Sequence, residues 1–596
     1  MTRGDITTAA DPTRLLEEAF REAIVAVLGD DYRHVDPIIR CSQNPAFGDY
    51  QANSAMSLAK HAGLKPRALA QQIAEAVAKN LRGVAETPEV AGPGFINIRL
   101  KAEALGKMLE ALDTPQLGVH RDPNPHTIAI DLCGVNIAKQ MHVGHLRSTI
   151  IGDCLARTFE RIGRTVHREN HLGDWGLTIA MVLWSLTRSG DDLDTLGLED
   201  LDKAYRHAQA ECRQDEAAAA EAKATLIKLQ QGDTETRRTW HKIIDVTMRA
   251  VYESFDLLNV KLGPNDNRPE SFYRDRLKDV VEAFRVSGIA QEDQGALIVR
   301  FPDRDRPLIL QKSDGGYLYA TTDLAAVRRR VQELKASRVI YIVDARQRDH
   351  FRDVFDAARR IGWDRLDDGS RAELVHVPFG SVLGTDRKPL KTRSGENLPL
   401  RLLLTEAIQR ATAEVRRRAE NPSAPTHGLD DEALDAIGKA VGIGAVKYAD
   451  LSSDLVRDYL FDLDRMVSFD GNTGPYLQYA HARVCSIFAR AGVTPTDPAI
   501  KSAKLVITEP AERSLGLLLL RYPSVVAEVA ATLEPHRLCT YLYDLANAYN
   551  TFYESCPVLK ADRQQLRLSR LRLCNLLSRV LADGLDLLGI QTPGRM

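Results

Sequence analysis

The chain has 596 residues, of which 44 % are hydrophobic and 27 % are charged, with a net charge of −2. Its length predicts about three or four domains, because one hydrophobic core rarely spans so many residues. The near-neutral balance excludes binding of nucleic acid through overall charge, so any such contact must come from local basic patches. No apolar run of about 18 residues or more is present, which predicts no membrane span.

The cysteines and the N-terminus indicate a reducing compartment. The eight cysteines lie far apart and form no CxxC pair. Neither a zinc site nor a disulfide framework is therefore predicted. The N-terminal segment has no apolar signal core. We expect a cytoplasmic protein with no structural zinc and no other protein-bound metal.

The first domain is predicted to combine helices with a small amount of strand. Residues 12–84 favour helices with a loop at 41–51, and the apolar "FINI" that follows suits a strand. The polar, proline-bearing "TPQLGVHRDPNPH" predicts a boundary near 115–122. We therefore assign residues 1–118 to an N-terminal α+β domain.

The pattern then changes to alternating strands and helices. The strand "HTIAIDL" leads into a helix from about His145, and "RTVHREN" is a second strand. This order predicts a right-handed parallel crossover and a Rossmann-like, doubly wound sheet. Further strands are predicted at "GALIVRF", "PLILQ", "RVIYIVDA" and "ELVHVPFG". We assign residues 119–400 to this α/β domain, with a charged helical insertion at about 190–290 between the two halves of its sheet.

The last third of the chain is predicted to be a helical bundle. Apolar residues recur at helical spacing in "LGLLLLRYPSVVAEVAATL" and "LCTYLYDLANAYNTFY". We therefore assign residues 401–596 to an all-α C-terminal domain. The predicted fold is multidomain α/β, with a doubly wound parallel sheet at its centre.

The stretch "VNIAKQMHVGHLRSTIIGD" carries more polar chemistry than an ordinary turn needs. It places His142 and His145 around Gly144, where a predicted strand gives way to a helix. Doubly wound sheets bind nucleotides at this edge. Glycine lets a ring or a phosphate approach the backbone, while imidazole N–H groups and a helix N-terminus can hydrogen-bond phosphate oxygens. The alternatives are ordinary helix-start histidines or two metal ligands, although no third ligand is evident at useful spacing.

Together with "NHLGDWG", this stretch resembles class I aminoacyl-tRNA synthetases, and specifically the arginyl-tRNA synthetases. The segments "NPAFGDYQAN" and "GPGFINI" resemble the N-terminal domain of that family. The segments "LQKSDGGYLYATTDLAA" and "VDARQRDHF" resemble the second half of its catalytic domain. The segments "FDGNTGPYLQYAHARV" and "GLDLLGIQTPGRM" resemble its anticodon-binding domain. The resemblance covers almost the entire chain in order, and several of these motifs are specific to the arginine enzymes.

The resemblance implies ATP-dependent ligation of L-arginine to arginine tRNA through arginyl-adenylate, with ATP entering as its Mg²⁺ complex. The implied ATP-binding residues are His142, Gly144, His145, Gly173, Asp174 and Thr392. The implied catalytic residues are His142, His145, Lys139, Lys388, Lys391 and Arg393. Thr392 stands where the mobile KMSKS loop of the family usually has its second lysine. The nearby cations can supply the missing charge, or they form a solvated face.

A planar carboxylate and an aromatic face are well suited to bind the guanidinium of arginine. Tyr319 and Asp323 lie four residues apart, and a helix there would place both on one side. The alternatives are packing for Tyr319 and a helix N-cap for Asp323. The resemblance favours arginine binding by both, and it adds Asn136, Gln347 and Asp131. Gln347 could instead be a solvated turn residue, and Asp131 a turn acceptor.

Contacts with tRNA are also implied by the resemblance. The N-terminal domain would contact the tRNA elbow through Asn44, Phe47 and Asp49. The helical domain would hold the anticodon through Tyr476, Gln478, Tyr479 and His481. The alternative for each residue is packing. The aromatic side chain in the N-terminal loop could stack on an unpaired base, and the basic "RQQLRLSRLRL" could follow phosphates. We expect a monomer that binds arginine tRNA, L-arginine and ATP, and no membrane.

Two stretches depart from the family pattern. Val135 stands where relatives usually have proline, and Leu177, Thr178, Ile179 and Ala180 replace a usual Thr-Gln-Phe-Gly. The alternatives to a housekeeping enzyme are a specialised duplicate with altered inhibitor discrimination and a paralogue that binds tRNA without charging it. A smaller nucleotidyltransferase with added domains is disfavoured by the "GDWG" stretch and the helical C-terminal region.

Overall fold

A computed structural model describes residues 11–42, 44–190, 192–388, 390 and 398–596. The N-terminal region is an antiparallel sheet packed against helices. Its elements are α1 (Pro12–Leu28), β1 (Ile39–Cys41), β2 (Tyr50–Ala52), α2 (Ser54–Ala62), α3 (Pro66–Asn80), β3 (Glu89–Ala91), β4 (Phe95–Ile98) and α4 (Ala102–Leu112). The strand order is β1-β2-β4-β3.

The segment predicted as a loop at 41–51 is a loop only in its middle, because its two ends belong to the paired strands β1 and β2. Cys41 pairs with Tyr50 across antiparallel strands of three residues each. Such short strands show too few alternations for a period of two to be recognised. A 3₁₀ turn, Pro45–Phe47, lies between them.

The central region contains the predicted parallel sheet. Its elements are β5 (Thr127–Asp131), α5 (Val143–Arg161), β6 (Thr165–Glu169), α6 (Leu177–Ser189), α7 (Leu198–Gln214), α8 (Glu216–Gln231), α9 (Thr234–Leu257), α10 (Glu270–Tyr273), α11 (Leu277–Val286), β7 (Gln291–Asp293), β8 (Ala296–Val299), β9 (Leu308–Gln311), α12 (Tyr319–Gln332), β10 (Ala336–Asp344), α13 (Arg348–Ile361), β11 (Glu373–Phe379) and β12 (Val382–Leu383). The order is β11-β10-β5-β6, with all neighbours parallel. The prediction of a doubly wound α/β fold is confirmed.

The sheet creates a binding edge between β5 and β10. The chain leaves β5 toward β6 on one side and reaches β10 on the other, so the strand order reverses between them. Ligands of open α/β sheets bind at such a point, outside the carboxyl ends of the strands. The loop after β5 carries Asn136, Lys139 and His142, and Gln347 follows β10.

The two strands predicted directly after the insertion lie outside the parallel sheet. β8 and β9 form a separate antiparallel sheet of order β7-β8-β9. The expectation that they continue the nucleotide-binding sheet is therefore wrong. A short apolar run indicates a strand but not its partner, because pairing is decided by tertiary contacts.

The C-terminal region is helical apart from one short strand. Its elements are α14 (Leu400–Ala419), α15 (Asp431–Leu451), β13 (Tyr459–Leu460), α16 (Leu463–Met466), α17 (Gly474–Ala491), α18 (Pro498–Lys501), α19 (Pro510–Leu520), α20 (Tyr522–Thr532), α21 (His536–Ser555) and α22 (Gln564–Leu587). The stretch Pro510–Thr532 is long and apolar enough for a membrane span by length and composition, but half of its most apolar window is buried in the protein. Here it forms α19 and α20, whose apolar faces pack in the bundle core.

Helix α5 is fastened to the C-terminal region by arginines. The buried Arg147 pairs with Asp450 of α15 at 3.2 Å and donates to the Gly380 carbonyl oxygen at 2.8 Å. Further along the helix, Arg157 contacts Asp586 at 3.0 Å. Removing one partner of a buried pair leaves an uncompensated charge and is strongly destabilising. These contacts fix the helix whose first turn carries the two signature histidines.

Candidate active site

The loop between β5 and α5 has an unusual backbone. Cys133, Gly134 and Ala138 have φ of 74°, 68° and 65°. The Cys133 N–H donates to Ser148 Oγ at 2.9 Å, and that hydroxyl donates to the Ile342 carbonyl oxygen at 2.6 Å. A non-glycine residue with positive φ is costly and persists only where its surroundings impose it. Here α5 and β10 hold the loop in its shape.

His142 and His145 cap the first turn of α5 with their own rings. The Gly144 N–H donates to His142 Nδ1 at 3.1 Å, and the His142 N–H donates to His145 Nδ1 at 3.1 Å. The ring centroids are 4.0 Å apart. Because each Nδ1 accepts a hydrogen bond, each neutral ring carries its proton on Nε2. Both rings therefore keep one N–H donor that the helix does not use.

The environment keeps these rings neutral. Burial and the charge of Lys139 lower the pKa of His142. Burial, His142 and Lys139 lower the pKa of His145 to about 3. A neutral imidazole N–H can donate to a phosphate oxygen without titrating near neutral pH. The site thus offers two uncharged donors beside a helix N-terminus.

Two glycines keep the floor of this site open. A Cβ at Gly144 would lie 2.9 Å from His142 Cε1, and a Cβ at Gly173 would lie 2.2 Å from Asn136 Oδ1. Asn136 and Gly173 are paired by an isolated parallel bridge. Any larger residue at either position would displace a predicted ligand contact.

Two of the predicted cations, Lys139 and Lys388, lie among the described residues. Lys139 Nζ lies 4.4 Å from the ring centroid of Tyr205 on α7. Lys388 is exposed in the loop after β12. Lys391, Thr392 and Arg393 lie outside the described residues. The far end of this loop returns to the histidines, because the Leu400 N–H donates to the Met141 carbonyl oxygen at 2.8 Å.

Tyr319 and Asp323 lie on the first turns of α12, as the four-residue spacing predicts. The helix begins at Tyr319 with Leu318 as its N-cap, so the interpretation of Asp323 as an N-cap is wrong. Asp323 Oδ2 accepts from His350 Nε2 at 2.6 Å. The Tyr319 ring is largely exposed, and its centroid lies 4.6 Å from that of His350. Gln347 is exposed at the start of α13.

Asp131 is placed differently from the other arginine-binding candidates. Its side chain is buried, and Oδ2 accepts from Arg330 Nη2 at 2.7 Å. Arg330 also donates to Glu169 Oε2 at 2.7 Å and lies over the Tyr341 ring. Asp131 is therefore already paired with a guanidinium of the protein itself, that of Arg330. Asn136, in contrast, is exposed at the rim.

The predicted nucleotide residue Asp174 is also engaged internally. Its two carboxylate oxygens accept from the backbone N–H of Ser271 at 3.0 Å and from Ser271 Oγ at 2.5 Å. Burial raises the pKa of Asp174.

The sequence does not single out Glu270, which lies next to Ser271 in the chain. Burial raises the pKa of the Glu270 carboxyl to about 7. Glu270 lies close enough to Asp323 for that charge to raise its pKa further.

The N-terminal candidates for contact with tRNA lie partly at the surface and partly in the interior. Phe47 is 49 % exposed, and Asn44 caps the turn beneath it by accepting from the Ala46 N–H at 3.0 Å. Asp49 is buried, accepting from the Leu100 N–H at 2.7 Å and from Arg513 Nε at 2.8 Å. Asp49 therefore joins the N-terminal region to α19 rather than facing outward.

The C-terminal candidates divide in the same way. Gln478 is fully buried and donates to the carbonyl oxygens of Ala440 at 3.0 Å and Gln591 at 2.7 Å. His481 is buried, and the Tyr476 hydroxyl donates to Asn547 Oδ1 at 2.6 Å.

Tyr479 is the C-terminal candidate that lines a cavity of about 430 Å³. Arg483 lies over the rings of Tyr479 and Tyr553, with Cζ 4.9 and 5.2 Å from their centroids. Arg490 is exposed at the same cavity.

Helix α22 carries the basic stretch that is predicted to follow phosphates. Several of its arginines form ion pairs within the protein: Arg570 pairs with Glu512, and Arg572 and Arg579 pair with Asp113.

Three family models match successive parts of the chain. The model for the N-terminal domain of arginyl-tRNA synthetases matches residues 14–100. The model described as "tRNA synthetases class I (R), catalytic domain" matches residues 108–463. The DALR anticodon-binding domain matches residues 477–596.

Known proteins agree with these matches. The arginine–tRNA ligase of Frankia casuarinae is 46 % identical over 94 % of this chain and 95 % of its own length. That of Thermobifida fusca is 44 % identical over 98 % of this chain and all of its own. The solved arginyl-tRNA synthetase of Plasmodium falciparum is 28 % identical, with a TM-score of 0.82, over 98 % of this chain and 99 % of its own.

The parallel sheet, the histidine-capped helix at its switch point and the helical C-terminal region define a class I aminoacyl-tRNA synthetase. Within that class, the chain belongs to the arginyl-tRNA synthetase family.

Proposed function

We propose that this protein joins L-arginine to arginine tRNA in two steps. The arginine carboxylate attacks the α-phosphorus of ATP, giving arginyl-adenylate and pyrophosphate. The arginyl group then passes to the terminal ribose of the tRNA. The observation that carries this proposal is the pair of neutral imidazoles at the start of α5, each with its Nε2–H left over.

In the proposed roles, the two imidazoles donate to phosphate oxygens as negative charge builds at the reacting phosphorus. Donors fixed before the reaction stabilise the transition state without a cost of reorganisation. Gly144 and Gly173 let the nucleotide approach the backbone, and Thr392 is proposed to contact it from the basic loop. Mg²⁺ arrives with the phosphates as part of the substrate.

The cations are assigned to the pyrophosphate. Lys139 would exchange its contact with Tyr205 for a phosphate oxygen, which is a stronger partner for an ammonium group. Lys388, Lys391 and Arg393 are proposed to approach from the loop whose far end is hydrogen-bonded beside His142. Asp174 is given a supporting role, because Ser271 already donates to both of its oxygens.

Arginine is proposed to bind with its guanidinium against Tyr319 and Asp323. One oxygen of Asp323 remains for the ligand, and the exposed Tyr319 ring offers an aromatic face. Gln347 is proposed as a further contact, and Asn136 as a contact of the amino-acid head group. Asp131 supports the floor of the site through Arg330.

We propose that Phe47 and Asn44 contact the elbow of the tRNA and that Tyr479 contacts its anticodon. The cavity at Tyr479 combines aromatic faces with Arg483 and Arg490, a combination that suits unpaired bases and their phosphates. Tyr476 supports this surface through Asn547, while Asp49, Gln478 and His481 lie inside the fold. We also propose that the protein acts as a monomer in the cytoplasm.

The test is ATP–pyrophosphate exchange with each amino acid, with and without arginine tRNA. We expect exchange with arginine alone among the amino acids, and dependence on tRNA as the family resemblance implies. Exchange with a different amino acid would refute the assignment of the substrate. Tight tRNA binding without any exchange or charging would favour a non-charging paralogue.

A further inference from the structure

His350 contacts both residues that are proposed to bind the guanidinium. Its Nε2–H donates to Asp323 Oδ2 at 2.6 Å, and its ring centroid lies 4.6 Å from that of Tyr319. The side chains of His350 and Asp323 are only 11 % and 13 % exposed. A short hydrogen bond to a carboxylate in a partly buried site is stronger than one between neutral groups.

The helix that carries His350 is held firmly. The next residue, Phe351, is buried and packs against the rings of Tyr341, Phe355 and His376, with centroids 4.7, 5.8 and 5.1 Å away. A residue on such a helix can fix the geometry of a neighbour more accurately than a residue on a loop. The imidazole of His350 is therefore a rigid support between α12 and α13.

We propose that His350 is a positioning residue for the guanidinium of bound arginine. Its Nε2–H holds one oxygen of Asp323, so that the other oxygen faces the ligand. Its ring supports Tyr319, which is otherwise largely exposed to solvent. The inference rests on the proposed function, because it assigns an indirect role at the same binding site.

The two contacts of His350 can be separated by substitution. His350→Phe keeps a ring beneath Tyr319 but removes the donor to Asp323. His350→Gln keeps an N–H donor at a similar reach but removes the ring. The measurement is the KM for arginine and for ATP in pyrophosphate exchange with tRNA present, beside the melting temperature of each variant.

We expect His350→Phe to raise the KM for arginine by about tenfold to a hundredfold, since a hydrogen bond to a charged group is lost. His350→Gln should raise it by about two- to tenfold, since an aromatic contact is lost. The KM for ATP should stay within about twofold of the parent value in both variants. Equal rises in the two KM values would show a merely structural role and overturn the proposal.

A double variant tests whether His350 acts through Asp323. Adding His350→Phe to Asp323→Asn should cost little more than Asp323→Asn alone, because residues that share one interaction are not additive. Fully additive effects would contradict the proposal. If Asp323→Asn leaves the KM for arginine unchanged, the proposed arginine site itself fails. If it raises that KM while His350→Phe does not, only the role of His350 fails.

His376→Phe is a matched control. The His376 ring also packs against Phe351, with centroids 5.1 Å apart, and its Nε2–H donates to the Val343 carbonyl oxygen at 2.9 Å. The substitution is the same and removes a hydrogen bond nearby, but it does not touch Asp323. We expect a lower melting temperature with the KM for arginine within about twofold of the parent. A rise as large as that of His350→Phe would refute a specific role for His350.

Discussion

The two halves of the proposed active site are suited to opposite charges. The proposed phosphate half at the start of α5 offers neutral imidazole N–H groups, glycines and a helix N-terminus, which suit an anion. The proposed guanidinium half at α12 and α13 offers a carboxylate and an aromatic ring, which suit a cation. The two histidines of the first half lie three residues apart at the start of one helix, whereas the second half joins residues of two helices.

Because of this difference, we expect substitutions in the two halves to change different kinetic parameters. Donors in the phosphate half gain strength only as charge develops in the transition state, so their loss should lower turnover. The guanidinium lies away from the reacting bond and keeps its charge throughout, so its contacts should appear mainly in the KM for arginine.

The largest effect is expected for His145→Ala. Turnover in pyrophosphate exchange should fall roughly 10²- to 10³-fold with little change in the KM for arginine. Because the pKa of His145 is about 3, the parent enzyme should show no acidic limb from this ring between about pH 5 and 8. Turnover equal to that of the parent would end the assignment of a catalytic role to His145.

The next largest effect is expected for Asp323→Asn. A charge-assisted contact becomes a neutral one, so the KM for arginine should rise by about tenfold to a hundredfold while the KM for ATP stays nearly constant. Steady-state exchange kinetics with each substrate varied in turn provide the measurement. A large fall in turnover without any change in either KM would contradict the division between the two halves.

A smaller effect is expected from the titration of Glu270. Its pKa of about 7 means that the carboxyl group gains a negative charge as the pH rises through neutrality. Because that charge lies near Asp323 and favours a cation, kcat/KM for arginine should rise with pH through about 7, by roughly three- to tenfold. Glu270→Gln should flatten this step in a pH series from about 5.5 to 8.5.

Asp275→Asn is the control for that series. Asp275 lies in the same segment, but a hydrogen bond from Arg274 lowers its pKa, so it stays charged across the series. The step near pH 7 should persist in this variant. A step that survives in Glu270→Gln would have to be assigned to another group.

The smallest effect is expected when the two family departures are restored. Val135 is buried, and its carbonyl oxygen accepts from the Gly173 N–H at 3.0 Å, a contact that proline can also make. Ile179 and Ala180 are buried, and Thr178 is half-buried. We expect Val135→Pro with Thr178→Gln to change arginine kinetics by less than about twofold. A changed inhibition profile with arginine analogues would instead support a reshaped pocket.

The phosphate half could be predicted closely because its geometry is local. The spacing of His142 and His145 is that of an N-cap and its third helical residue, and the structure uses it in that way. The four-residue spacing of Tyr319 and Asp323 likewise placed both on α12. The roles proposed for these residues stay predictions until the substitutions are made.

His350 and Glu270 could not be found in the same way. His350 lies 27 residues from Asp323 along the chain, and its partner follows from how α12 and α13 pack. Glu270 becomes distinctive only through burial beside other acids, which no local pattern displays. Two candidate RNA contacts, Gln478 and Asp49, lie in the interior for a related reason, because their polar groups pair with residues that are distant in sequence.

The sequence alone determined the family, the parallel sheet, the helical C-terminal region and the capped start of α5, since each depends on periodicity or on residues close together in the chain. The tertiary structure decided which polar residues are buried and paired inside the fold. The Asp49–Arg513 and Arg147–Asp450 pairs join residues that lie hundreds of positions apart. A buried charge must be paired, and its partner is chosen by the packing of whole domains rather than by neighbours in sequence.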